Sequence, residues 1–198
     1  MLASISPLGE RARHNRWAST VVAYVAGSVI GGAAIGVVAG LAGWGLRAVA
    51  GPGPFAVAAV VAAACAAGAA TDLVLAGERL PGWHRQVNED WLVRYRGWVY
   101  GVGFGVQLGF GVVTIVTTAA VYLMVLLACL AASVPAAIGI GTAFGLARAL
   151  PVLLVGRARD PDALHRILRR TVDAGRRANR AAAVLIALTG VAALVAVA

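Results

Sequence analysis

The side chains best placed to do chemistry in this sequence are few, and most of them stand in apolar surroundings. Gln107, Thr114, Thr117 and Thr118 interrupt a stretch, 97–147, that contains no Asp, Glu, Lys, Arg or His over 51 residues. Gln107, Thr114 and Thr118 are separated by seven and by four, which puts them on one face of a helix. In lipid such a stripe lines a path for a small solute or ion, or acts as interhelical glue, with each hydroxyl satisfied on its own helix. Asp72 and Arg148 are the ionisable residues well inside apolar runs. A charge at that depth costs a few kcal/mol unless paired or hydrated. The pattern predicts an ion pair that locks or gates two helices, with snorkelling to the interface as the alternative.

A second group lies between the apolar runs. Glu89, Asp90, Trp91, Arg94, Tyr95 and Arg96 form a dense polar and aromatic segment. Asp90 precedes Arg94 by four residues, the spacing of a helical ion pair. Trp91, Tyr95 and Trp98 share a face, as a belt of interfacial aromatics or as a docking surface and lid. Glu89 and Asp90 have only His84 near them, too little for a metal. No nucleophile–base set, phosphate loop or zinc spacing is present, so neither enzyme, metal nor cofactor is expected. Cys65 and Cys129 lie in apolar runs without a Cys-x-x-Cys context and read as small buried hydrophobes.

The elements that must position these residues follow from composition. A chain of 198 residues that is 61% hydrophobic and 13% charged has more apolar surface than a soluble domain can hide. The fold class expected is all-α, a polytopic integral membrane protein of about five transmembrane helices and one interfacial amphipathic helix. A basic leader, 1–16, precedes a single transmembrane domain, 17–198. The spans expected are about 18–44, 55–77, 98–128, 136–155 and 181–198. The third would extend about 46 Å, longer than a hydrocarbon core of about 30 Å, so it must tilt, protrude or break. Gly27, Gly31 and Gly36 in the first helix, Gly101, Gly105 and Gly109 in the third and Gly145 in the fourth recur at spacings that let helix backbones approach. Asp160-Pro161-Asp162 reads as a helix start. Beyond it, Leu164, Ile167, Leu168 and Val172 oppose Arg166, Arg169, Arg170 and Arg177, the pattern of a helix lying in the interface.

Seventeen arginines and no lysine supply the basic side of a net charge of +9. Fifteen fall in 1–16, 78–97 and 156–180, so those segments are expected in the cytoplasm, the N-terminus inside and the C-terminus outside a bacterial inner membrane. The same placement favours anionic lipid over nucleic acid as partner.

The order of the helices resembles the transmembrane module of the DsbD/CcdA thiol-reductant family, the cytochrome c biogenesis transmembrane proteins, which is similar to sulfite-exporter and LysE-type transporters. The likeness rests on Phe104-Gly105 and Leu108-Gly109 before the polar region of the third helix. It rests also on the run from Ala143 to Leu154, AFGLARALPVLL. The resemblance implies an inverted repeat with interrupted helices facing a polar midplane site. Val25–Trp44 and Phe55–Gly77 would be the second and third helices of the first repeat. The first would be missing, which favours a homo-oligomer or a membrane partner protein. Where the family carries its reactive cysteine and prolines, this chain has Gly111 to Val116, GVVTIV, so a thiol relay is the least favoured function. The leading expectation is a small transporter-like or transport-accessory protein. A non-enzymatic membrane subunit or assembly factor is the alternative.

Overall fold

A computed structural model describes residues 5–75, 80, 90–111, 116, 118–131, 133–158 and 160–197. The protein is an all-helical, polytopic membrane protein. In chain order the described helices are α1 (Pro7–Ala12), α2 (Trp17–Ala50), α3 (Pro54–Leu75), α4 (Trp91–Arg94), α5 (Gly97–Phe110), α6 (Ala120–Leu130), α7 (Val134–Ala149), α8 (Pro151–Val155) and α9 (Pro161–Val195). By length and composition Trp17–Ala50, Pro54–Val74, Val134–Val155 and Arg177–Val195 can each cross a membrane, and Ala120–Leu130 is a shorter apolar helix.

α2 is the axis of the bundle. Its apolar window is 44% buried, against 28% for α3 and for the α7–α8 segment and 11% for the end of α9, and α5, α6 and α7 pack around it. The glycines explain how. Gly27 and Gly31 lie against the backbone of Val102 and Val106 on α5, while Gly101, Gly105 and Gly109 lie against Thr20, Tyr24 and Ser28. On another face, Gly32 meets Gly141 and Gly36 meets Ala137 of α7, and Gly145 returns to Ser28. An added Cβ at any of these positions would fall within 3.0 Å of backbone atoms. In lipid, helices gain little from hydrophobic burial against one another, and such close backbone approach supplies the packing instead. The Ser28 hydroxyl donates to the Gly145 carbonyl at 2.7 Å, bonding α2 to α7.

The long third helix expected over 98–128 is two half-helices. α5 ends at Phe110, followed by Gly111 at φ +73°, a conformation that glycine adopts without the Cβ penalty. α6 begins at Ala120. Each half is too short to cross, at about 21 Å and about 17 Å, but end to end they exceed the hydrocarbon core. At the far end, Gly51 closes α2 in the left-handed conformation at φ +38°. Arg47 of the last α2 turn donates there to the Leu130 carbonyl and satisfies the C-terminus of α6.

α3 and α9 form an outer pair, with Gly190 of α9 set against Ala62 and Cys65 of α3. The amphipathic segment expected in the interface and the last span are one continuous helix, α9, of 35 residues. Its start is as read: the Asp160 carboxylate accepts from the Ala163 amide at 2.6 Å, with Pro161 in the first turn. The basic leader is likewise structured, since residues 7–12 form α1, with Glu10 fully buried.

Candidate functional site

The break between α5 and α6 lies near the middle of α2. Gly109 faces Ser28 and Cys129 faces Gly43, so both half-helices run in the same direction as α2. At 1.5 Å per residue, Gly111 is level with about Ile30 and Ala119 with about Ala33, and α2 has its midpoint there. The chain therefore leaves one half-helix and enters the other at nearly the same depth, about halfway along the longest apolar helix.

Asp72 projects to this point from α3. It is 3% exposed, and its Oδ1 accepts from the Ala119 amide at 2.7 Å. A carboxylate there answers one of the unsatisfied amides at the start of α6 and the positive end of its dipole. Its Oδ2 is buried and has no hydrogen-bond partner among the described residues. Leu123 and Ala119 of α6 pack against Gly68, one turn before Asp72, and this contact seats the carboxylate at the break.

Across the break, α7 contributes Phe144 and Arg148. A Cβ on Gly111 would meet the Phe144 ring at 3.0 Å, and the Arg148 guanidinium lies 5.6 Å from that ring's centroid. Arg148 is also within electrostatic reach of the buried Tyr24 on α2.

Asp72 and Arg148 therefore do not form the expected pair. Asp72 bonds to Ala119, and the ion pair found among the described residues is Arg13–Glu10. The reason is geometric. α3 packs on α9 and touches α6, whereas α7 packs chiefly on α2 and less on α5 and α6. With Gly145 facing Ser28, Arg148 is level with about Val25, some 12 Å along the axis from Asp72. Both residues flank the break instead. Gln107 stands one turn before Gly111 and Thr118 immediately before the α6 N-cap, each partly buried. Thr114 and Thr117 lie outside the described residues. Because the helix stops at Phe110, the spacing of seven and four does not define one continuous face.

In the segment before α5, Glu89 lies outside the described residues. Asp90 is the N-cap of α4 and Arg94 its last residue; the Arg94 amide donates to the Asp90 carbonyl at 3.1 Å, and the two side chains do not pair with each other. The aromatic residues are more consequential. Trp91 stacks on Phe104 at 6.1 Å between centroids and 18° between planes, meets Tyr95 edge-on at 5.7 Å, and covers Gly103. Tyr95 and Trp98 are exposed, and Arg94 and Arg96 flank Tyr95.

One polar cluster was not anticipated. The buried Glu10 carboxylate accepts from the Thr20 hydroxyl at 2.8 Å, from Arg13 at 2.7 Å and from the Tyr100 hydroxyl. It joins α1 to the first turns of α2 and α5. Burial works against the Arg13 charge, but its hydrogen bonds to Glu10 and Tyr100 outweigh this and raise its pKa. The signal in the sequence was Glu10 as the lone acid among arginines 11, 13 and 16.

Cys65 and Cys129 are both free thiols in separate apolar clusters, Cys65 with Val61 and Leu123, and Cys129 beside Ala39, Ala128 and Ala137. Among the described residues no three His, Cys, Asp or Glu side chains gather as a metal site. No curated protein and no solved structure matches the chain. A family model described as the cytochrome C biogenesis protein transmembrane region matches residues 2–192. With nearly its whole length matched, and with a multi-pass helical fold around a broken helix, the chain belongs to the cytochrome c biogenesis transmembrane-region family.

Proposed function

We propose that this chain is a transporter-like or transport-accessory protein that admits a small solute at the discontinuity between α5 and α6. The observation that carries this reading is Asp72, a buried carboxylate with one oxygen on the start of a half-helix and the other without a partner among the described residues. A half-paired carboxylate in lipid costs several kcal/mol and marks an ion or solute pathway by default. Half-helix ends at the midplane are the usual place for such a site. Arg148 and Tyr24 on one side and Gln107 and Thr118 near the break supply the remaining polar groups. The arginine-rich end faces the cytoplasm in this account, with the N-terminus inside and the C-terminus outside a bacterial inner membrane.

A second reading is a non-enzymatic membrane subunit or assembly factor, acting as a homo-oligomer or with a membrane partner. The backbone-to-backbone seams of α2 with α5 and α7 favour it, since they leave little room for rocking. The separate clusters around Cys65 and Cys129 argue against a relay between these two thiols.

The experiment is ligand-induced thermal stabilisation of the purified protein in detergent, across small anions, thiols, amines and amino acids. Wild type, Cys65→Ala/Cys129→Ala and Asp72→Asn are compared. The solute reading predicts a ligand that stabilises the first two and not the third. No response to any solute, with the protein isolated in a larger assembly, would favour the subunit reading. Loss of the response in the cysteine-free form would return the thiols to consideration.

A further inference from the structure

Away from the break, two clefts meet at the arginine-rich end of the bundle. One of about 470 Å³ is lined by Arg13, Asn15, Leu92, Arg94, Tyr95 and Arg96. The other, of about 230 Å³, shares Asn15 and Arg96 and adds His14, Arg16 and the first residues of α2 and α5.

Among the described residues the cleft linings carry arginines and no acid. Among the described residues the acids on the adjoining α1 and α4 segments are Glu10 and Asp90. Glu10 is fully buried and already accepts from Thr20, Arg13 and Tyr100, so it compensates Arg13 alone. Arg94 and Arg96 are exposed around the larger cleft, and Arg16 lines the smaller. Both α2 and α5 begin here with an arginine at the N-cap, no side-chain cap bond and no acid in the first turn. Their amide ends add positive partial charge to that of the arginines. Tyr95 and Trp98, 46% and 57% exposed, stand at the rim. Aromatic residues beside arginines at the end of an apolar helix mark the depth of lipid headgroups.

We propose that this double cleft binds a phosphate-bearing anion, with Arg94 and Arg96 as its direct ligands and the Asn15 amide between them. Arginine forks suit phosphate oxygens because two parallel N–H groups can bond at once. The ester group is that of a phospholipid in the adjacent leaflet or of a soluble phosphate ester. The site shares no residue with the helix break, so it stands whether or not the break passes a solute.

The test uses the full-length protein in an uncharged detergent. Thermal stabilisation and native mass spectrometry are read against inorganic phosphate, glycerol 3-phosphate and phosphatidylglycerol, each compared with chloride at equal ionic strength. The expected result is saturable binding that Arg94→Gln/Arg96→Gln weakens about tenfold or more. Arg169→Gln/Arg170→Gln removes the same charge from the exposed face of α9 and should shift binding by less than about twofold. Binding of the lipid alone assigns the site to a headgroup; binding of glycerol 3-phosphate assigns it to a soluble ester, and binding of inorganic phosphate shows that the phosphate group itself suffices. No saturable effect beyond chloride, or equal weakening by the two double variants, would overturn the proposal.

Discussion

Gly109→Ala tests whether the bundle is held by backbone contact. The new Cβ would overlap the Ser28 carbonyl oxygen, with the Ser28 carbonyl carbon at 2.8 Å and the Gly32 amide nitrogen at 2.9 Å, where ordinary contacts lie at 3.4–4 Å. None of these atoms is the end of a flexible side chain, so α2 and α5 must separate by about half an ångström or more. A radial gap of about 0.5–1 Å forfeits a quarter to a half of each contact along the seam. Overpacking of this kind costs about 1–3 kcal/mol, and the better helix propensity of alanine returns about 0.5–1 kcal/mol. The net loss is about 0.5–2 kcal/mol, a factor of about 2–30 in the folded-to-unfolded ratio. Gly139→Ala on α7 is the control, because a Cβ there meets nothing within 4 Å. Both variants are unfolded in mixed micelles with increasing dodecyl sulfate. Gly139→Ala should match or exceed wild type and Gly109→Ala should unfold earlier. Equal stability of the two would refute the claim that the glycines hold the helices together.

Three further outcomes follow from named contacts. Glu10→Gln removes the charge that Arg13, Thr20 and Tyr100 share, and should cost about 1.5–3 kcal/mol in the same assay. Asp72→Leu strips the acceptor from the Ala119 amide and should cost about 1–3 kcal/mol. Asp72→Asn keeps an oxygen there and should remain closer to wild type, which a differential melt of the two variants checks. Trp91→Ala uncovers Gly103 and Phe104 in the middle of α5 and should destabilise by about 2 kcal/mol, seen as an earlier unfolding midpoint.

The glycine spacings make the helix seams legible in the sequence, because periodic small residues in a membrane helix serve close packing. Excess length and the crowding of Gly101, Gly103, Gly105, Gly109 and Gly111 likewise point to a break, and Gly111 is where α5 ends. Pairing was not legible. Asp72 and Arg148 looked like partners because charge in lipid needs an answer, yet an amide at the start of α6 supplies that answer for Asp72. A half-helix end has no residue type and leaves no mark in a sequence. The continuity of α9 was hidden for a related reason. The change from basic to apolar near 177–181 looked like a boundary, but Ala178, Asn179, Arg180 and Ala181 include no proline or glycine to end a helix. Glu10 was masked by its arginine neighbours, which averaged into a solvated leader.

The proposal that the break between α5 and α6 admits a small solute requires that a small water-borne reagent reach it. In the Cys65→Ala/Cys129→Ala background, Thr118→Cys places a thiol beside Asp72 and Ala119, and Ala39→Cys places one in the packed seam of α2. Each is exposed to a small charged methanethiosulfonate reagent, with the modified fraction read by intact mass. Ready modification of Thr118→Cys, with Ala39→Cys unreactive, is the result predicted. Thr118→Cys as inert as Ala39→Cys would mean that the break is sealed, and would contradict the solute site.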